Sequence, residues 1–155
     1  MSIEIEKKFL VLNDSFKKLS YSNIHIRQGY LFSSENKTLR VRITPHKSKI
    51  SIKSGKDIIR NEYEYEIPSK DAQELLLLSK GYIIDKIRYL IKFEGFTWEV
   101  DVFQKENEGL IVAEIELEEE NQPFIKPCWI GQEILSDKKY YNCNLAEKPY
   151  SLWKL

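Results

Sequence analysis

The sequence predicts a mainly β (α+β) fold, an eight-stranded antiparallel sheet closed into a barrel with a charged lumen and packed by a few helices. Three observations predict it. Apolar and polar residues alternate with period two in run after run. Hairpin signals join neighbouring runs. The polar side of the runs is almost purely ionic, and its sign changes from one run to the next.

The runs come in chain order. Ile3, Ile5, Phe9 and Val11 alternate with Glu4, Glu6 and Lys8, and Lys7 is the one polar residue on the apolar side. Ile24 to Leu31 forms a weaker strand in which Gln28 and Tyr30 share a side. Leu39, Val41 and Ile43 oppose Arg40 and Arg42; Ile50 and Ile52 oppose Lys49, Ser51 and Lys53. Tyr63, Tyr65 and Ile67 oppose Glu62, Glu64 and Glu66. Ser54-Gly55-Lys56-Asp57 turns between these last two runs. A helix follows: Pro68 and Ser69 open it, Asp71 suits its first turn, Leu75 to Leu78 supply its core contact and Gly81 stops it. Ile87, Tyr89, Ile91 and Phe93 then oppose Lys86, Arg88 and Lys92, and Glu94-Gly95 turns into Trp98, Val100 and Val102 opposing Glu99 and Asp101. Ile111, Ala113, Ile115 and Leu117 oppose Glu114, Glu116 and Glu118. Beyond Glu120, Pro123, Pro127 and Gly131 mark loop, and a short helix is expected within Ile134 to Leu145, with Ser136 as its N-cap and Asp137 in its first turn.

A solvated outer face explains any one ionic strand side. It explains eight of them, sorted by sign, poorly. If the sheet closes with its apolar side outward under helical cover, the ionic side lines a lumen. Like charges two residues apart on one face then need counter-ions between them. A basic and an acidic set in one lumen suit a polyanion and divalent metals.

Composition agrees. The 155 residues form one expected domain, residues 1–155, with enough chain for a core without staples. Net charge is zero, yet residues 1–60 hold 13 Lys and Arg against five Asp and Glu, and the remainder holds 11 against 19. No apolar run approaches transmembrane length. The first ten residues carry two Glu and two Lys where a signal peptide needs an apolar core, so a cytoplasmic location is expected, with Cys128 and Cys143 as reduced thiols. The two histidines have no matched nucleophile, and the phosphate-binding Gly-x-x-x-x-Gly-Lys loop is absent. A lumen with as many acids as bases argues against nucleic acid.

Several motifs occur together: Glu4-Ile5-Glu6-Lys7-Lys8, Leu39-Arg40-Val41-Arg42, Ile52-Lys53-Ser54, Arg60-Asn61-Glu62-Tyr63-Glu64, Lys86-Ile87-Arg88-Tyr89, Trp98-Glu99-Val100-Asp101 and Ala113-Glu114-Ile115-Glu116-Leu117. Glu-x-Glu-x-Lys alone is weak, but the ordered set spans nearly the whole chain. It resembles the triphosphate tunnel metalloenzymes, or CYTH superfamily, in their short, single-domain bacterial form. The resemblance implies a tunnel that binds a linear triphosphate with Mg²⁺ or Mn²⁺, and a C-terminal plug helix, placed here at residues 137–145.

On that pattern Arg40, Arg42, Lys53 and Arg88 read as phosphate clamps, with Lys8 bridging the acidic and basic zones. Glu4, Glu6, Asp101, Glu114 and Glu116 read as metal carboxylates, and Glu62 matches the family's acidic strand better than Glu64. Glu66 and Glu99 read as solvated. Tyr30 and Lys86 resemble a pair implicated in positioning the attacking water or the leaving group, against the ordinary reading of Tyr30 as a core aromatic. The expected activity is metal-dependent hydrolysis of inorganic tripolyphosphate to pyrophosphate and phosphate. The alternatives are a thiamine or nucleoside triphosphatase, a class IV-like adenylate cyclase, or a non-catalytic polyphosphate-binding module. Neither a membrane nor a nucleic-acid partner is expected, and the pattern leaves monomer and homodimer open.

Overall fold

The computed structural model describes residues 1–56, 58–134 and 137–153. Eight strands make the ring: β1 (Ser2–Val11), β2 (Ser22–Ser33), β3 (Lys37–Ile43), β4 (Ser48–Lys56), β5 (Ile59–Ile67), β6 (Lys80–Phe93), β7 (Phe96–Phe103) and β8 (Ile111–Leu117). Their order is β5-β4-β3-β2-β6-β7-β8-β1, every pair is antiparallel, and β1 returns to pair with β5. The weak eighth run is a full strand of 12 residues. The Glu94-Gly95 turn holds both residues at positive φ, 47° and 81°, as a two-residue hairpin with matched twist requires.

A ninth strand, β9 (Ile130–Ile134), lies where proline and glycine suggested loop. The cause is local to β1. On one side β1 pairs with β8 over Ile5–Leu10, but on the other β5 covers only Ser2–Ile5. The rest of that edge would present unpaired backbone groups, and β9 pairs with it between Lys8 and Val11.

The apolar strand faces point outward and are covered in two places. Trp98, Phe9, Ile115 and Val100 lie under Phe16, Phe124 and Trp129. Phe16 comes from a four-residue helix, α1 (Phe16–Leu19), too short to give a periodic signal. Helix α2 (Ser69–Leu77) lays Ala72 and Leu76 on Val41 and Ile43. The helix at Pro68–Gly81 is therefore present, with two corrections. Only Leu75 and Leu76 of its leucine run pack inward, while Leu77 and Leu78 are 86% and 70% exposed, because a nine-residue helix turns one narrow face to the barrel. Gly81 lies within β6, at φ 70°, and does not end the helix. A Cβ there would stand 2.2 Å from the carbonyl oxygen of Ala146. The outer wall of β4 and β5 has less cover than expected: Ile52, Tyr63 and Tyr65 remain exposed.

Ala146 belongs to α3 (Asn142–Glu147), which follows a 3₁₀ turn at Lys138–Tyr140. The Asp137 side chain caps that turn by accepting from the Lys139 amide. The expected cap Ser136 lies outside the described residues, as does Asp57 of the β4–β5 turn. Leu145 and Ala146 pack with Tyr30, Ile84, Phe103 and Val112, an apolar stopper across one end of the barrel. No helix among the described residues is long and apolar enough to cross a membrane.

Candidate active site

The barrel encloses a cavity of about 160 Å³ lined by side chains from all eight ring strands. The expected inward residues line it: Glu4, Glu6 and Lys8 on β1, Tyr30 on β2, Arg40 and Arg42 on β3, Lys53 on β4. Glu62, Lys86, Arg88, Glu114 and Glu116 follow from β5, β6 and β8, and of the expected set Asp101 alone is not among the lining residues. Strand register decides which of these charges meet.

On the acidic wall Glu6 faces Glu116, and Lys8 faces Glu114, across β1 and β8. Glu99 faces Glu114 across β7 and β8. Carboxylate oxygens of Glu6, Glu99 and Glu114 all lie within 4.8 Å of one another. Facing like charges oppose folding unless a cation joins them. The carboxyls register this strain. Burial, then the charge of Glu114, raises Glu6. Burial raises Glu99, with Glu114 adding. Burial, then Glu4 and Glu6, raises Glu116. Burial pushes Glu114 the same way, but Lys8, Arg88 and Lys86 outweigh it and hold that carboxyl well below the ordinary range. Lys8 sits 2.8 Å from Glu114 and 3.1 Å from Glu6. Arg88 reaches in from the other side, 3.0 Å from Glu99 and 3.5 Å from Glu114, so two cations serve a group of acids that outnumbers them. Crowded hard oxygen donors, with Glu6 and Glu99 raised beside the charged Glu114, fit a divalent cation of the Mg²⁺ class.

Glu99, read as solvated from sequence, therefore belongs to the acidic group. Asp101, expected among the metal ligands, is placed elsewhere. It is fully buried and bonded to Arg88 Nε and Nη2 at 2.7 and 2.9 Å and to Lys86 Nζ at 2.7 Å. Burial opposes its charge, but Arg88 and Lys86 pull its pKa down to about 2. Both residues share one strand side, so alternation alone does not separate them. Glu66 is exposed, and Glu64 reaches the lumen and pairs with Lys49.

The basic wall is crowded in the opposite sense. Burial, then Arg40 and Arg88, brings Arg42 down to about 9. Burial lowers Lys86 to about 7, with Arg88 and Arg42 adding and Asp101 opposing. Arg40 Nε is buried with no hydrogen-bond partner among the described residues, an orphan donor beside the cavity. Lys53 lies 2.8 Å from Glu4, where the two walls meet. Arg60, which opens one of the sequence motifs but is given no role there, also faces inward, its guanidinium 5.1 Å from the Tyr141 ring. Such a surface binds a polyanion by relieving its own repulsion.

Tyr30 and Lys86 stand at the stoppered end, joined through intermediaries. Lys86 Nζ donates to Asn142 Oδ1 at 2.9 Å, Gln28 Nε2 donates to the same oxygen at 3.1 Å, and Gln28 Nε2 also reaches the Tyr30 hydroxyl at 3.3 Å. Gln28 Oε1 accepts from Arg42 Nε at 2.8 Å. Burial raises the Tyr30 pKa, so the phenol stays protonated near neutrality. Asn142 gave no signal in the sequence because it lies on α3, outside any alternating run. Elsewhere, His25 bonds Asp85 on the outer wall, His46 is exposed, and Cys128 and Cys143 are free thiols.

A closed antiparallel barrel whose lumen sorts acids from bases defines a tunnel protein that handles a small polyanion. The family model described as the CYTH domain matches residues 2–148, and the chain belongs to that family. It is 49% identical over 156 residues to a protein of Acetivibrio thermocellus named inorganic triphosphatase, covering 99% of both chains. It is 35% identical over 147 residues to an inorganic triphosphatase of Nitrosomonas europaea, covering 92% of this chain and 96% of the relative. The crystal structure of an inorganic triphosphatase superposes with a TM-score of 0.67 at 34% identity, over 94% of this chain and 95% of that one.

Proposed function

We propose that this chain is a metal-dependent inorganic triphosphatase that hydrolyses tripolyphosphate to pyrophosphate and phosphate. The observation that carries this reading is the three-carboxylate group within 4.8 Å, opposite a wall of buried, mutually repelling Arg and Lys. Relatives of that name at 49% and 35% identity support it. We place the reaction in the cytoplasm.

In this reading Arg40, Arg42, Lys53 and Arg88 bind the phosphoryl oxygens, with Arg60 beside them. Guanidinium forks match those oxygens in pairs. Glu6, Glu99 and Glu114 hold the metal, with Glu4, Glu62 and Glu116 at its margin. Bound there, a divalent cation such as Mg²⁺ or Mn²⁺ neutralises non-bridging oxygens and lowers the pKa of water. Asp101 aims Lys86 and Arg88 without touching the substrate. Water attacks the terminal phosphoryl group, and pyrophosphate leaves with its charge held by the basic wall. Tyr30 and Lys86 act at the stoppered end, where they position the reacting groups.

The test is phosphate release from tripolyphosphate, pyrophosphate, ATP and thiamine triphosphate, with EDTA and with each metal restored. Metal-dependent release that is fastest from tripolyphosphate is the expected result. An unchanged rate in EDTA, or clean conversion of ATP to cyclic AMP without phosphate release, would overturn the reading.

A further inference from the structure

Gln28 is fully buried, and every polar atom of its side chain is engaged. Its surroundings fix the direction of each of those bonds. A guanidinium only donates, so the atom 2.8 Å from Arg42 Nε must be the amide oxygen of Gln28. The amide nitrogen then faces the other way, and its two hydrogens go to Tyr30 Oη and Asn142 Oδ1. The far end gives the same answer. In its charged form, which Asp101 at 2.7 Å favours, Lys86 also only donates, so the Asn142 atom it meets at 2.9 Å is an oxygen, which can accept from Gln28 as well. A donor-only cation at each end leaves the chain one polarity.

The consequence falls on Tyr30. Its oxygen accepts from Gln28, so its own hydrogen points away from Gln28. Tyr30 lines the cavity, and the open direction is the lumen. We propose that Gln28 is a positioning residue that holds the Tyr30 hydroxyl as a hydrogen-bond donor to a phosphoryl oxygen of the substrate. This rests on the triphosphatase reading and deepens it. Tyr30 works as a neutral donor, and no proton is transferred. Its bond strengthens as negative charge builds on the oxygen it meets. Lys86 is arranged alike: two of its three hydrogens go to Asp101 and Asn142, and the third is left for the cavity it lines. Both donors are set from the barrel wall and from α3, so the helix that closes the tunnel also orients its chemistry.

The informative variant is Gln28→Glu. It keeps an acceptor for Arg42 but replaces the donor facing Tyr30 with a carboxylate oxygen, which draws the Tyr30 hydrogen out of the lumen. We expect kcat for tripolyphosphate to fall about 10²-fold, close to the loss in Tyr30→Phe, within the range for positioned hydrogen-bonding groups. KM and the calorimetric Kd for metal and tripolyphosphate should move by less than about threefold. The double variant Gln28→Glu/Tyr30→Phe should lose nothing further. Gln28→Met, which fills the volume and leaves Tyr30 free to turn, should show the same non-additivity with Tyr30→Phe and keeps the test open if Gln28→Glu does not fold. A wild-type kcat in Gln28→Glu, or losses that multiply with Tyr30→Phe in either pair, would overturn the proposal. A wild-type protein that releases no phosphate from any linear triphosphate would instead overturn the function itself.

Discussion

Asp101→Asn separates an anchor from a metal ligand. The carboxylate holds Lys86 at 2.7 Å and Arg88 through two bonds of 2.7 and 2.9 Å, with no solvent access. The amide keeps the shape but offers one acceptor and no charge, leaving buried Lys86 without its carboxylate partner and Arg88 with only Glu99 at 3.0 Å and Glu114 at 3.5 Å. Removing one partner of a buried pair costs about 3–5 kcal/mol. At about 2.1 cal/mol/K per residue, a chain of 155 residues unfolds with an entropy near 0.3 kcal/mol/K, so Tm should fall by about 9–15 °C. Metal affinity, read by calorimetry with Mn²⁺, should stay within about threefold of wild type, while KM for tripolyphosphate rises because Arg88 is no longer aimed. Glu99→Gln should do the opposite. It relieves repulsion against Glu114 and gives up the charge in the 3.0 Å pair with Arg88, two effects that offset, so Tm changes little, while Mn²⁺ binding weakens at least about tenfold. An Asp101→Asn protein with wild-type Tm and lost Mn²⁺ binding would refute the reasoning and return Asp101 to the metal.

Three further outcomes are expected. Metal should raise Tm more at pH 8 than at pH 5. Glu6, Glu99 and Glu116 have raised values, so the stability they contribute is present below the ordinary carboxylate range and lost as pH rises through their folded-state values, whereas Asp101 and Glu114, held low, lose theirs as pH falls from the ordinary carboxylate range toward their lowered folded-state values. Equal Tm increments at both pH values would remove the acidic group as the metal site. Gly81→Ala should destabilise the protein by at least about 2 kcal/mol, since it forces a side chain at φ 70° onto the Ala146 carbonyl; an unchanged denaturation midpoint would place α3 elsewhere. Arg42→Ala should raise KM at least tenfold, because it removes a phosphate clamp together with the partner of Gln28 Oε1; an unchanged KM would take Arg42 out of the binding wall.

Alternation made the barrel and its inward side legible, because a strand's two faces are written directly in its residues. What lay beyond it was settled by register and by distant partners. Glu99 and Asp101 are equivalent by alternation, yet one faces Glu114 and the other Arg88. Strand β9 exists because β5 leaves part of the β1 edge unpaired, a fact about residues more than 60 positions away. Leu77 and Leu78 looked like core because a run of four leucines does not announce which two will meet the wall. Asn142 sits on a six-residue helix with no periodic signature, and only the closed structure brings it to Lys86.

The ring closes through β1, the first strand to be synthesised. Lys8 finds Glu114 across 106 positions, so at about 5–20 residues per second a nascent chain carries the β8 edge of β1 unpaired for roughly 5–20 s before β8 is made. For that interval the strand is an alternating apolar segment with the β8 edge open over Ile5–Leu10. Lys7, the one charge on its apolar side, interrupts that face and makes it a poor template for another chain. Once the barrel has closed, the same lysine rests 5.8 Å from the Phe124 ring, beside aromatic cover supplied from beyond β8. A residue that looks like a flaw in the alternation thus breaks an apolar face while it is open and packs beside an aromatic ring once it is covered.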